Sequence, residues 1–102
     1  MLISKSKLSE GSIATFKLVN GDEIIAKVTS INETSYLLNR PCTVMPSSQG
    51  LGLIQSLFAA EPDIDVEISK NHVMMAANAF DKIQDHYIQT TTGIKPVKGI
   101  IK

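Results

Sequence analysis

Ala14-Thr15-Phe16-Lys17-Leu18-Val19-Asn20-Gly21-Asp22-Glu23-Ile24-Ile25-Ala26-Lys27-Val28-Thr29 is the stretch that decides the fold. Two runs rich in β-branched residues flank Asn20-Gly21, the strongest short-range turn signal in the chain, so the passage reads as a hairpin. Ala14, Phe16 and Leu18 alternate with Thr15, Lys17 and Val19, and Ile24, Ala26 and Val28 alternate with Ile25, Lys27 and Thr29. A two-residue loop would put Phe16 opposite Ile25 and Ala14 opposite Lys27, which splits the apolar face. If Val19-Asn20-Gly21 forms the loop, with Gly21 left-handed as a bulge, Phe16 meets Ile24 and Ala14 meets Ala26 on one face. Ile25 and Ile31 then fall on the opposite face, which predicts a long second strand covered in part on both sides.

Further along, Asn32-Glu33-Thr34 is a polar turn, followed by the strand-like Tyr36-Leu37-Leu38 and, after Pro41, by Cys42-Thr43-Val44-Met45. Pro41 removes an N–H and belongs at an edge or a bend. Residues 46–50 read as a loop. Residues 51–60 are an apolar run assigned to a strand, although the periodicity also fits a short helix. Ile64-Asp65-Val66-Glu67-Ile68 alternates strictly, Ser69-Lys70-Asn71 turns, and His72-Val73-Met74-Met75 makes a short final strand. Glu61-Pro62-Asp63 fits a bulge or a loop, so residues 51–68 form one bent strand or two. The pattern changes to a helix over about residues 79–91, with Asn78 as N-cap, Phe80, Ile83 and Tyr87 on one face against the sheet, and Gly93 as the stop. Residues 94–102, with three lysines and no acid, read as a solvated tail.

The composition narrows the function. A chain of 102 residues fits one domain, leaving no room for a second catalytic one. Ten basic and ten acidic residues cancel, which excludes a polyanion binder working through bulk charge, so any nucleic-acid contact must be local. No apolar run approaches a membrane span, and the start Met1-Leu2-Ile3-Ser4-Lys5 lacks the apolar stretch of a signal peptide, which points away from export. A lone Cys42 suits a reducing compartment and reads as a packed thiol. The two histidines are far apart and one cysteine cannot complete a common zinc site, so no metal or other cofactor is expected. No nucleophile-elbow, phosphate-loop or dinucleotide fingerprint occurs. Asp63, Asp65 and Glu67 are spaced to share a strand face, as a small hydrolase would need. They read more simply as the wet face of a half-buried strand, and no catalytic residue is assigned.

The passage from Phe16 to Glu33 resembles the first motif of the Sm-like (LSm) proteins: an apolar strand, a Gly turn, a second long strand and a polar Asp or Asn turn. Ile68-Ser69-Lys70-Asn71-His72-Val73 has the spacing of the second motif, where the family usually shows Ile-Arg-Gly, and bacterial host-factor members carry a lysine at the place of Lys70. Together the motifs span about a third of the chain, which by this resemblance is identified as a diverged member of the family, of cyanophage origin.

The resemblance implies a mainly β fold: a small, strongly bent, five-stranded open barrel over about residues 13–76, with the helix after it rather than before it. It implies a homo-oligomeric ring in which the fourth and fifth strands of neighbouring subunits pair. It also implies binding of single-stranded, often U-rich RNA, or DNA, near the pore, in the cytoplasm of a bacterial or phage-infected cell. The nucleic-acid-binding turns map to Asn32, Ser35 and Tyr36 and to Ser69, Lys70, Asn71 and His72. The ring would repeat Lys70 around the pore, Asn32 and Asn71 would meet base edges, and Tyr36 or His72 would stack. The family's Arg is Ser69 here, its Gly is Lys70 and its Asp is Asn32, while its base-reading Asn falls on Ser35 or Tyr36 according to a one-residue gap. The competing reading is an adaptor ring that docks protein partners through Met74, Met75 and the helix without nucleic acid.

Overall fold

The hairpin forms with the odd loop. In the computed structural model, which describes residues 8–61 and 63–92, β1 (Ile13–Leu18) pairs antiparallel with β2 (Glu23–Ile31), setting Phe16 opposite Ile24 and Ala14 opposite Ala26. Leu18 closes the loop, its N–H donating to the Asp22 carbonyl at 2.8 Å and its carbonyl accepting from Gly21 N–H at 2.9 Å. Gly21 is left-handed at φ 98°, and Asn20 Oδ1 accepts from the Asp22 N–H at 3.0 Å.

After the polar turn comes β3 (Ser35–Ser47), a single strand of 13 residues where the sequence suggested two pieces. Its two halves have different outer partners: Cys42 to Ser47 pairs with β4 (Gly50–Gln55), and Ser35 to Asn39 pairs with β5 (Asp65–Ser69). The apolar run therefore ends its strand at Gln55, and residues 51–68 hold two strands rather than one. A 3₁₀ turn, Lys70–His72, leads into β6 (Val73–Asn78), which pairs with β1, and α1 (Asp81–Thr92) follows. The sheet has six antiparallel strands rather than five, ordered β4-β3-β2-β1-β6 with β5 beside β3. It is not closed.

This topology forces curvature. Along the path β6-β1-β2-β3-β5 the end strands would lie about 19 Å apart if the sheet were flat, at roughly 4.8 Å per strand. The 3₁₀ turn that joins them spans only about 6–8 Å, at about 2 Å per residue. The sheet therefore bends back toward itself, and its concave face encloses Ala14, Phe16, Ile24, Ala26, Val28 and Leu38, with Tyr36, Ile68, Val73 and Ala76 packed around them. On the convex face α1 lays Tyr87 and Ile83 over Ile25, Cys42, Val44 and Ala79.

Two bulges decide which side chains reach which core. Val28 faces Leu38 but Ser30 faces Leu37, so Thr29 is an extra residue in β2. Beyond it the alternation inverts, and Ile31 packs into the concave core rather than on the face of Ile25 as its spacing implied. In β3, Ile25 faces Cys42 whereas Lys27 faces Asn39, so one extra residue lies around Arg40-Pro41. Tyr36 and Leu38 thus point into the concave core while Cys42 and Val44, of the same parity, point under the helix. Arg40 takes a left-handed φ of 53°, a conformation that costs a non-glycine residue about 1–2 kcal/mol and is rare before proline.

The bulge is held by the Tyr87 side chain. Its single hydroxyl proton is shared between the Asn39 and Arg40 carbonyls, at 2.8 and 3.0 Å, and its oxygen accepts from the Lys27 N–H at 3.1 Å, so it joins the backbone groups that the bulge leaves without ladder partners. Arg40 adds a bond from its guanidinium Nη1 to the Thr91 carbonyl at 2.9 Å.

The helix departs from its sequence reading at its start. Asn78 is not the N-cap but the last residue of β6, paired with Ala14, and the strand-like bonding continues as Ala79 N–H donates to the Ile13 carbonyl at 3.0 Å. The Phe80 carbonyl accepts from both Ile83 and Gln84 N–H at 3.0 Å, so the first helical bonds start there and the Phe80 ring is left 64% exposed instead of joining Ile83 and Tyr87. Gly93 and the 94–102 tail lie outside the described residues.

Two outcomes are expected of this architecture. Gly21→Ala, which meets open space but a strained φ, should lower stability by about 1–2 kcal/mol in urea unfolding, with Gly21→Asn recovering part of the loss. Tyr87→Phe should cost about 1–3 kcal/mol because it strands the buried bulge groups. Burial pushes the Tyr87 hydroxyl up to about 12. Since the folded value lies above the unfolded one of about 10, its contribution is complete below pH 10 and is lost as pH rises from 10 to 12. Unfolding followed by phenolate absorbance should show this alkaline step in the wild type and a smaller one in Tyr87→Phe.

Candidate functional site

The two turns singled out in the sequence meet at one corner of the sheet. The pairing of β3 with β5 sets Ser35 opposite Ser69 and Tyr36 opposite Ile68, and the Lys70 N–H donates to the Thr34 carbonyl at 2.9 Å. Asn32, Ser35, Tyr36, Ser69, Lys70 and Asn71 are thereby gathered within two adjoining turns, although more than thirty residues of sequence separate the two groups.

Each turn is held by short polar contacts. Asn32 N–H donates to the Ser35 carbonyl at 2.9 Å, Asn32 Oδ1 accepts from the Ser30 hydroxyl at 3.1 Å, and its amide reaches the Ser35 hydroxyl at 3.4 Å. Ser35 is buried, so its hydroxyl braces the turn from inside, whereas Asn32, Glu33 and Thr34 are exposed. Ser69 caps the 3₁₀ turn, its hydroxyl accepting from the Asn71 N–H at 3.1 Å. Asn71 and His72 side chains face solvent, and the His72 carbonyl accepts from Val19 N–H at 2.9 Å, which ties this turn to the β1–β2 loop.

Tyr36 and Lys70 form the contact between the turns. The half-buried Tyr36 ring has its centroid 5.1 Å from that of the buried Phe16, tilted by 57°. The Lys70 ammonium lies 5.2 Å from the Tyr36 centroid, over the ring. Glu33 stands in the neighbouring turn, and the Glu10 carboxylate accepts from the Ile31 N–H at 3.0 Å, so a single corner carries both signs of charge. Glu10 is not legible in the sequence as part of this region. Its bond depends on the β2 bulge, which turns the Ile31 N–H toward the segment before β1.

The carboxylates spaced as a hydrolase would need lie elsewhere, on β5 and its approach. Asp63 Oδ1 accepts from Arg40 Nε at 3.3 Å and from Asn39 at 3.2 Å, and Asp65 Oδ1 accepts from Asn39 at 3.0 Å and Thr29 at 3.3 Å. The bond from Arg40, followed by that from Asn39, holds the Asp63 carboxyl below the usual carboxylate range. These acids act as acceptors that fasten β5 to β3. Beside them a cleft of about 110 Å³, lined by Pro41, Cys42, Leu57, Ile64, Val66 and Thr91, is the size of one side chain and well below a typical ligand pocket. Burial pushes the Cys42 thiol at its wall upward. Among the described residues no group of three or more His, Cys, Asp or Glu converges as a metal site, and no helix is long and apolar enough to cross a membrane.

The chain matches no protein-family model and no curated protein sequence. Function must accordingly be read from the corner itself and from the sheet edges around it. A double-mutant cycle should detect the Tyr36–Lys70 contact: Tyr36→Leu costing about 1–2 kcal/mol, Lys70→Met about 0.5, and a coupling of about 0.5–1 kcal/mol between them in urea unfolding.

Proposed function

We propose that this chain is a diverged Sm-like protein that forms a homo-oligomeric ring and binds single-stranded RNA at the corner where residues 32–36 meet residues 69–72, with a role in nucleic-acid processing. The observation that carries the reading is the joining of those turns through Ser35–Ser69 pairing and the Lys70-to-Thr34 bond. The strand path β6-β1-β2-β3-β5, with a 3₁₀ turn between β5 and β6, supports it. That path fits a strongly bent, five-stranded open barrel to which β4 is an addition.

The sheet edges support ring formation. β5 is bonded within the chain to β3 and β6 to β1, and among the described residues each has an outer edge with no strand beside it. Such edges invite pairing with another chain, and cyclic pairing of β5 from one subunit with β6 of the next would satisfy both around a closed ring. The zero net charge and the acids near Lys70 make one isolated corner a weak polyanion site. Symmetric repetition would bring the lysines together as a cationic ring. Single-stranded DNA offers the same phosphates and bases and is the alternative ligand within this reading.

One observation favours the adaptor reading: Met74 and Met75 on β6 are 63% and 64% exposed, and Phe80 lies just beyond them. Flexible methionines beside an exposed aromatic suit a protein contact. The readings separate in two measurements on nuclease-treated protein. Native mass spectrometry should give one discrete oligomer. Fluorescence anisotropy with labelled U-rich and A-rich single-stranded RNAs at two salt concentrations should show micromolar or tighter binding that weakens with salt. Lys70→Ala should weaken it at least tenfold and flatten the salt slope by about 0.7 for each phosphate that the lysine no longer neutralises. A discrete oligomer with no RNA binding moves the function to protein docking.

A further inference from the structure

We propose that the exposed Phe80 side chain of one subunit fills the cleft between β4 and β5 of the next, locking the subunits together beside their paired strands. The inference rests on the ring reading above and specifies what joins the subunits besides backbone bonds. The cleft opens where β3 passes from β4 to β5, and Pro41, Cys42, Leu57, Ile64 and Val66 give it apolar walls with room for one side chain. Leu57 and Ile64 are themselves exposed, and Phe58 beside them is 75% exposed, so the surface around the cleft is apolar as well. Phe80 cannot fill the cleft of its own chain. Thr90 and Thr91, which line that cleft, lie near the far end of α1, roughly 16 Å from Phe80 at about 1.5 Å per residue.

Pairing of the open edges brings the two together between subunits. Along an antiparallel strand, successive residues turn their N–H and C=O groups to opposite sides. The bond from Lys70 N–H to Thr34 continues the β3–β5 ladder, so Tyr36–Ile68 and Leu38–Val66 are its bonded pairs, and the backbone groups of Asp65 and Glu67 face the open edge. The bond from Ala79 N–H to Ile13 likewise makes Thr15–Ala77 and Lys17–Met75 the bonded pairs of β1 and β6, which turns the backbone groups of Ala76 and Asn78 outward. Antiparallel pairing, the direction of all the strand pairs within the chain, then sets Asp65 against the partner's Asn78 and Glu67 against the partner's Ala76. That register carries the partner's Phe80, two residues past the end of β6, alongside Ile64 at the mouth of the cleft. Each subunit offers one aromatic ring at one edge and one cleft at the other, which is the head-to-tail arrangement that a closed ring repeats. Apolar surface that a lone chain leaves in water is covered on both sides of the contact.

The experiment combines Phe80→Cys and Ile64→Cys in one full-length chain that also carries Cys42→Ala, oxidised with copper–phenanthroline and run on a non-reducing denaturing gel. Disulfides between neighbouring subunits should give a ladder of covalent multimers ending at the oligomer seen by native mass spectrometry, and each single-cysteine chain should run as a monomer. In parallel, Phe80→Ala should keep the wild-type far-UV circular dichroism while raising the concentration at which the oligomer is half dissociated by roughly tenfold or more, as loss of an interface anchor does. An oligomer whose double-cysteine chain stays unlinked, or whose half-dissociation point is unmoved by Phe80→Ala, overturns the contact, leaves the cleft to another occupant and lets the ring stand. A wild-type protein that is monomeric at every concentration removes the ring reading, and the contact goes with it.

Discussion

Tyr87 reaches from the helix through the convex core to a place where the sheet's own bonding breaks down. The left-handed Arg40 and the extra residue of β3 leave carbonyls and an N–H that a regular ladder would have consumed, and a phenol hydroxyl can serve donors and acceptors at once. Because that point is held, β3 can change both its facing and its partner midway. Its first half then belongs to the concave core and to β5, its second half to the convex core and to β4. The placement of β5, and with it of the turn containing Lys70, follows from this division.

Local signals make the hairpin and the order of elements legible. A β-branched run on each side of Asn20-Gly21 leaves few arrangements that keep Phe16, Ile24, Ala14 and Ala26 on one face, and the pairing observed is the one that does so. Strict alternation likewise marks β5, and the change of period marks α1. The bulges are not legible, because an inserted residue conserves the local pattern and reverses only its meaning in space. Spacing for that reason puts Ile31 on the wrong face. Phe80 falls outside its expected stripe because β6 continues its bonding through residue 79, which no capping rule registers.

The candidate site shows the same division. Its turns are identifiable from polar residues between strands, and their adjacency is a long-range fact that depends on β5 choosing β3 as its neighbour. The individual roles within the turns are a matter of burial: Ser35 faces inward and braces the turn, while Asn32, Asn71 and His72 keep their side chains in solvent. Spacing alone does not distinguish a hydroxyl that supports a turn from one that projects from it.

The reach of Tyr87 also orders events on a growing chain. All of the β1–β2 hairpin has been made once Ile31 is added, and its contacts are local. The hydroxyl that completes the β3 bulge lies 60 residues beyond Lys27, the N–H it accepts from, and in the second half of α1. During vectorial synthesis the bulge carbonyls must be solvated until residue 87 has left the ribosome, so the two faces of the sheet mature at different times. The concave side can collapse around Phe16 while the chain is still emerging, and the convex side is sealed only as α1 docks.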